Sequence, residues 1–135
     1  MADLAKDANA SFDTSQAMYA PQITGNLIAG ENLDAVSPCY IKASDGKVYM
    51  SVGTAANEAA KFDGFTGKAY RAGQAVTLLG VGCRFRYSAG TLTPGAKLYV
   101  GGAKGVLADA ATTGGIVEIA RAINSTDIRA VVNAA

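Results

Sequence analysis

The strongest constraint on this chain is a strand–turn–strand order that occurs twice with one spacing. Tyr40-Ile41-Lys42-Ala43-Ser44-Asp45-Gly46-Lys47-Val48 and Tyr99-Val100-Gly101-Gly102-Ala103-Lys104-Gly105-Val106-Leu107 each open on an aromatic residue. Each then sets a glycine at the same distance along the chain and resumes with a β-favouring residue. A glycine there supplies the positive φ that a tight turn uses, so both stretches read as β-hairpins. A chain of short hairpins without a reactive cluster presents a surface, which points to a binding or structural protein.

The remaining punctuation extends that reading. Sixteen glycines break 135 residues into short runs, which favours many short strands over a few long helices. Pro38 suits the start of a strand, and Lys47 to Val52 alternates with Val48, Met50 and Val52 on one face. Gln74 to Leu79 reads as a strand, and Cys83 to Tyr87 as a two-faced one: Cys83, Phe85 and Tyr87 inward, Arg84 and Arg86 outward. Ile116 to Ile123 and Thr126 to Val132 form a last strand pair around Asn124-Ser125, with Ile128, Ala130 and Val132 inward. One short helix is expected from Thr54 to Phe62, capped by Thr54 and stopped at Gly64. The expected fold is mainly β: a compact barrel- or sandwich-like domain of short hairpins with one short helix and an extended N-terminal arm.

The arm comes from composition. Over residues 1–22 Ala, Asp, Asn, Ser and Gln dominate and large apolar residues are widely spaced, too few to order the segment alone. It is either a loose terminus or an arm, extended or disordered until bound, that uses Phe12, Met18, Tyr19 and Ile23 as anchors. Residues 23–135 then form a single β-rich domain. The Arg84 and Arg86 pair is either a solvated face or a contact for an acidic partner surface.

Composition argues against chemistry. The chain has no histidine, which removes the commonest general base near neutral pH and most zinc sites. Cys39 and Cys83 lack the spacing of a metal knuckle or redox pair; they read as buried thiols, with a disulfide as the other option. Gly80-Val81-Gly82, Gly46-Lys47 and Gly67-Lys68 fall short of nucleotide-binding patterns. The tyrosines read as core or rim packing, or else as an aromatic platform for sugars or single-stranded nucleic acid. A net charge of +1 with scattered signs does not suit a phosphate backbone. The N-terminus has no secretory pattern and no run is long enough to span a membrane, so synthesis in the cytoplasm is expected.

From Ala20 to Val132 the chain resembles the phage head decoration proteins, also called capsid cement proteins. The resemblance rests on Leu27-Ile28-Ala29-Gly30-Glu31-Asn32-Leu33, on Pro38-Cys39-Tyr40-Ile41-Lys42 with Asp45-Gly46-Lys47-Val48-Tyr49, and on Gly64-Phe65-Thr66. It continues through Ala72 to Leu78, Leu92 to Tyr99, Thr113-Gly114-Gly115 and Thr126-Asp127-Ile128-Arg129. These motifs are generic one by one and specific as an ordered set. The resemblance implies a structural virion protein, made in the host cytoplasm and placed on the outer capsid surface. There it would bridge neighbouring major capsid subunits of a tailed phage, commonly as a homotrimer. It implies no cofactor, metal or catalytic residue, and neither nucleic acid nor membrane as a direct partner. The contact candidates are Phe12, Met18, Tyr19, Ile23, Arg84 and Arg86; the competing reading is a receptor- or carbohydrate-binding module on the head surface.

Overall fold

The computed structural model describes residues 3–12, 22–23 and 27–135. Twelve short strands among them form two antiparallel sheets. The first has seven strands in the order β1-β10-β9-β11-β12-β8-β2. They are β1 (Asp3–Leu4), β2 (Ser11–Phe12), β8 (Arg84–Arg86), β9 (Lys97–Val100), β10 (Leu107–Ala108), β11 (Ala120–Ala122) and β12 (Asp127–Ala130). The second has five, in the order β3-β7-β6-β4-β5: β3 (Gln22–Ile23), β4 (Pro38–Ile41), β5 (Val48–Met50), β6 (Gly64–Thr66) and β7 (Leu78–Leu79).

Both sequence hairpins are present. Tyr40 stands opposite Tyr49 across β4 and β5, and Val100 opposite Leu107 across β9 and β10. Gly46 and Gly105 take nearly equal positive φ values of 70° and 71°. Strand alternation sorts β8 as expected, with Phe85 fully buried between the outward Arg84 and Arg86, and it sorts β9 in the same way, with Leu98 and Val100 buried while Lys97 is exposed.

The seven-stranded sheet is strongly curled. Its two edge strands, β1 and β2, belong to one N-terminal segment and are joined by residues 5–10 alone. On a flat sheet six strand spacings would separate them by about 29 Å. A fully extended link over those residues reaches only about 24 Å, and this one contains a turn closed by the Ala10 amide on the Asp7 carbonyl. The edges therefore bend toward each other, but β1 and β2 do not pair, so the sheet stays open rather than closing as a barrel. The sandwich-like reading fits this arrangement.

The five-stranded sheet is buried on both faces. Phe65 and Leu79, cross-strand partners in β6 and β7, point into the curl of the first sheet with Phe62, Phe85, Leu98 and Ile128. The Phe65 ring lies 5.1 Å from that of Phe85 and 5.0 Å from that of Phe62, which joins the two sheets. On the opposite face Cys39, Val48 and Leu78 pack with Leu33, Tyr70 and Val76. The connecting segments cover this smaller core through isolated bridges, Ile28 with Ala75 and Leu33 with Tyr70.

Several expectations change. The helix from Thr54 to Phe62 is replaced by a 3₁₀ turn, Glu58–Ala60, capped by the Asn57 side chain on the Ala59 amide. The reason is competition for backbone groups. Val52 donates to the Ala59 carbonyl and Gly53 to the Gly101 carbonyl, while the Thr54 hydroxyl turns to the Gly102 carbonyl instead of capping a helix. The strand expected from Ile116 begins only at Ala120, and that expected from Gln74 only at Leu78.

Residues 3–12 lie on the domain instead of projecting from it. The Asp3 carboxylate accepts from the Gly102 and Ala103 amides, and the Lys6 ammonium donates to the Ala35 carbonyl and the Ser37 hydroxyl. Two exposed sheet edges offer these residues a ladder that composition could not reveal. Residues 13–21 lie outside the described residues.

Candidate interaction surface

The contact candidates separate into three groups. Arg84 and Arg86 face outward from β8, and both cations are already engaged. Arg84 Nε donates to Asp127 at 2.8 Å, and Arg86 pairs with Asp7, also at 2.8 Å. The Asp7 carboxyl is held below its ordinary range, first by the Asn9 amide and then by Arg86. Phe12 stands opposite Phe85 in β2, and Ile23 opposite Leu78 in β3. Met18 and Tyr19 lie outside the described residues.

An apolar lip lies elsewhere, where the expected strand failed to form. Ile116 is 69% exposed and Val117 is 47% exposed. They border a groove of about 400 Å³ lined by Ala55, Ala60, Phe62, Val100 and Ala135. Gly114 and Gly115 hold the lip out by packing against the chain: their amides donate to the Gly53 carbonyl. The Thr112 hydroxyl donates to the Val100 carbonyl and accepts from the Gly115 amide. The C-terminus is anchored beside it, since Ala135 and Phe62 exchange backbone hydrogen bonds at 2.8 and 2.6 Å. Ile116 and Val117 lie within the strand expected over Ile116 to Ile123 but outside β11, because the amides of Gly114 and Gly115 just before them are drawn to the Gly53 carbonyl.

A second groove, of about 480 Å³, runs between the N-terminal segment and the 34–37 turn and is lined by Lys6, Asp7, Ala10, Asp34, Ala35 and Val106. Burial brings the Lys6 ammonium down to about 8. Val36 adjoins this groove with a positive φ of 52°, unusual for a β-branched residue. The strain is held by burial of its side chain and by Thr66, whose carbonyl accepts from the Val36 amide and whose hydroxyl donates to the Asp34 carbonyl.

Among the described residues no group of three or more His, Cys, Asp or Glu side chains is placed to hold a metal ion. Cys39 and Cys83 are free, buried thiols, and burial pushes both above their ordinary values, which disfavours the reactive thiolate. The tyrosines are dispersed. Tyr40, Tyr70 and Tyr87 are buried, and Tyr40 pairs with the half-buried Tyr49 across the first hairpin with ring centroids 6.0 Å apart. Lys42 stands 5.0 Å over the Tyr49 ring, and the Tyr49 hydroxyl donates to Asp45 at 2.6 Å.

No family model matches the chain, and neither a curated protein nor a solved structure matches it.

Proposed function

We propose that this chain is a structural virion protein that binds the outside of a phage capsid and stabilises it by bridging neighbouring major capsid subunits. The observation that carries the reading is the Ile116–Val117 lip. Two large aliphatic residues are held in water by a hydrogen-bonded glycine turn, beside a mainly apolar groove. Covering that surface against a partner recovers apolar burial the isolated domain forgoes.

The ordered motifs of the resemblance support the same reading. They fall on the first hairpin (β4 and β5), on β6, on the turn into β9 and on β12, which are the elements that build both sheets. Residues 13–21, carrying Met18 and Tyr19, connect an edge strand of one sheet to an edge strand of the other, and are the proposed arm contact. A homotrimer at a three-fold position would repeat each modest contact by symmetry, so that individually weak interfaces add up on the shell.

The test is co-sedimentation of the purified protein with expanded capsids that lack it. Saturable binding at a fixed symmetric ratio is expected, and Ile116→Asp should weaken it while leaving the melting temperature unchanged. No binding to any maturation state would reject the proposal and favour the receptor- or carbohydrate-binding module, for which a glycan array is the next measurement.

A further inference from the structure

The outer face of the seven-stranded sheet carries an arrangement that strand alternation alone does not show. Lys97 stands opposite Arg121, Arg121 opposite Arg129, and Arg129 opposite Arg84. Four cations thus form one row across the adjacent strands β9, β11, β12 and β8. Directly opposed side chains in a sheet sit about 5 Å apart at Cβ, and like charges in such pairs destabilise it. The inner partners of the same strands are Leu98, Ala120, Ile128 and Phe85, all fully buried, so the whole row points to solvent.

Alternate members of the row are neutralised. Glu118 grips Arg121 with two hydrogen bonds of 2.8 and 2.9 Å, and Asp127 takes Arg84 at 2.8 Å. Lys97 and Arg129 are exposed and form no salt bridge among the described residues. With Arg86 and Asp7 included, the face sets five cations against three carboxylates, a larger excess than the +1 of the whole chain. This outer sheet face thus carries a net positive charge, five of the chain's twelve cations against three of its eleven acids.

We infer that this face docks an acidic protein surface, with Lys97 and Arg129 as the two cations that receive the partner's carboxylates. The interspersed acids decide the chemistry. Glu118 and Asp127 would repel a continuous phosphate backbone, which wants an uninterrupted basic stripe. A protein face can set carboxylates opposite Lys97 and Arg129 and leave the positions over Glu118 and Asp127 neutral. The inference rests on the decoration reading for the partner's identity, a capsid subunit, and locates part of its contact on the sheet face.

The experiment is co-sedimentation of the full chain with expanded capsids, comparing wild type, the double variant Lys97→Glu with Arg129→Glu, and a control, Lys47→Glu, on the exposed hairpin tip. Raising salt from about 50 to about 300 mM should weaken wild-type binding, because exposed charges are screened across that range. The double variant should lose at least about tenfold in affinity, with the control within about twofold. The reversal relieves like-charge contacts with Arg121 and Arg84 but also removes two cations that favour the Glu118 carboxylate, so melting temperatures are compared. The neutral double variant Lys97→Gln with Arg129→Gln, which adds no carboxylate, should also lose affinity while melting as wild type does. If wild type binds capsids and the double variant binds equally well, the surface is wrong and the decoration reading stands. If wild type does not sediment, the decoration reading falls and takes this assignment with it. Retention of wild type on duplex DNA, lost in the double variant, would overturn the acidic-protein partner in favour of phosphate.

Discussion

The Tyr87 hydroxyl accepts a hydrogen bond from the Leu107 amide at 2.8 Å, although Tyr87 directly follows β8, which stands four places from the β10 of Leu107 in the sheet order. The same hydroxyl donates to the Leu4 carbonyl at 3.0 Å, so one buried side chain ties β8 to β10 and β1 across the mouth of the curled sheet. Burial pushes the phenol up to about 12, which keeps it a donor throughout the neutral range. Tyr87→Phe would leave the Leu107 amide and the Leu4 carbonyl without this partner. A loss of about 1–3 kcal/mol is expected, the usual cost of orphaning buried polar groups. Denaturant midpoints give the energy, and hydrogen exchange at Leu107 should accelerate. A variant as stable as wild type would show that the edges hold without the hydroxyl.

The N-terminal segment should behave as part of the domain. Deleting residues 1–12 removes β1 and β2, the Asp3 contacts with the Gly102 and Ala103 amides, and the Lys6 and Asp7 contacts. A fall in melting temperature of roughly 10 °C is expected for a loss of a few kcal/mol in a chain of this size. An unchanged transition would mean that residues 3–12 are a separable arm after all.

Phe65 joins the sheets, and its truncation should be the most damaging single change proposed here. Phe65→Ala should cost about 3–5 kcal/mol, combining lost burial with the cavity left between Phe62 and Phe85. Phe65→Leu, which keeps most of the volume, should cost appreciably less. Equal costs for the two would indicate that the interface collapses around the gap.

Lys6 predicts a pH dependence of a particular sign. In the unfolded chain its ammonium titrates near its ordinary 10.5, but in the fold burial lowers it to about 8. Between those values the unfolded state binds more protons, so the contribution of Lys6 to stability rises with pH; below about 8 both states are protonated and the burial penalty stands in full. Cys39, Cys83, Tyr49 and Tyr87 are shifted upward and act in the opposite direction at alkaline pH. The useful quantity is therefore the difference between wild type and Lys6→Met. From about pH 7 to about pH 10 that difference should move toward wild type by on the order of 2 kcal/mol. A difference that stays constant would show that the ammonium remains charged in its groove.

The two hairpin glycines should respond unequally to substitution. At Gly46 an added Cβ meets nothing within 4 Å, so Gly46→Ala should cost only the strain of a left-handed conformation, about 1–2 kcal/mol. At Gly105 the same atom would come within 2.7 Å of Met50 Sδ and 2.9 Å of Ser37 Oγ, so Gly105→Ala should cost clearly more. Similar losses would mean that the second hairpin tip lifts away without penalty.

Those glycines also mark how far the sequence reaches. Their spacing alone identified both turns, because positive φ is a local demand that glycine meets in any context, and period-two alternation assigned Phe85, Ile128 and Ala130 to the core and Arg84 and Arg86 to solvent. The sequence by itself therefore determined the β class, the hairpins and the face on which most strand residues lie. It misassigned Thr54 to Phe62 and Ile116 to Ile119, where local propensity was overridden by hydrogen bonds to Gly101, Gly102 and Gly53 from distant parts of the chain. Only the tertiary structure decided that Gly105 is crowded while Gly46 is open, that residues 3–12 line both edges of one sheet, and that Lys97, Arg121, Arg129 and Arg84 fall into one row. Register is the reason. A residue's face follows from its own strand, but its cross-strand neighbour is chosen by pairing between segments far apart in the chain, and no local rule carries that information.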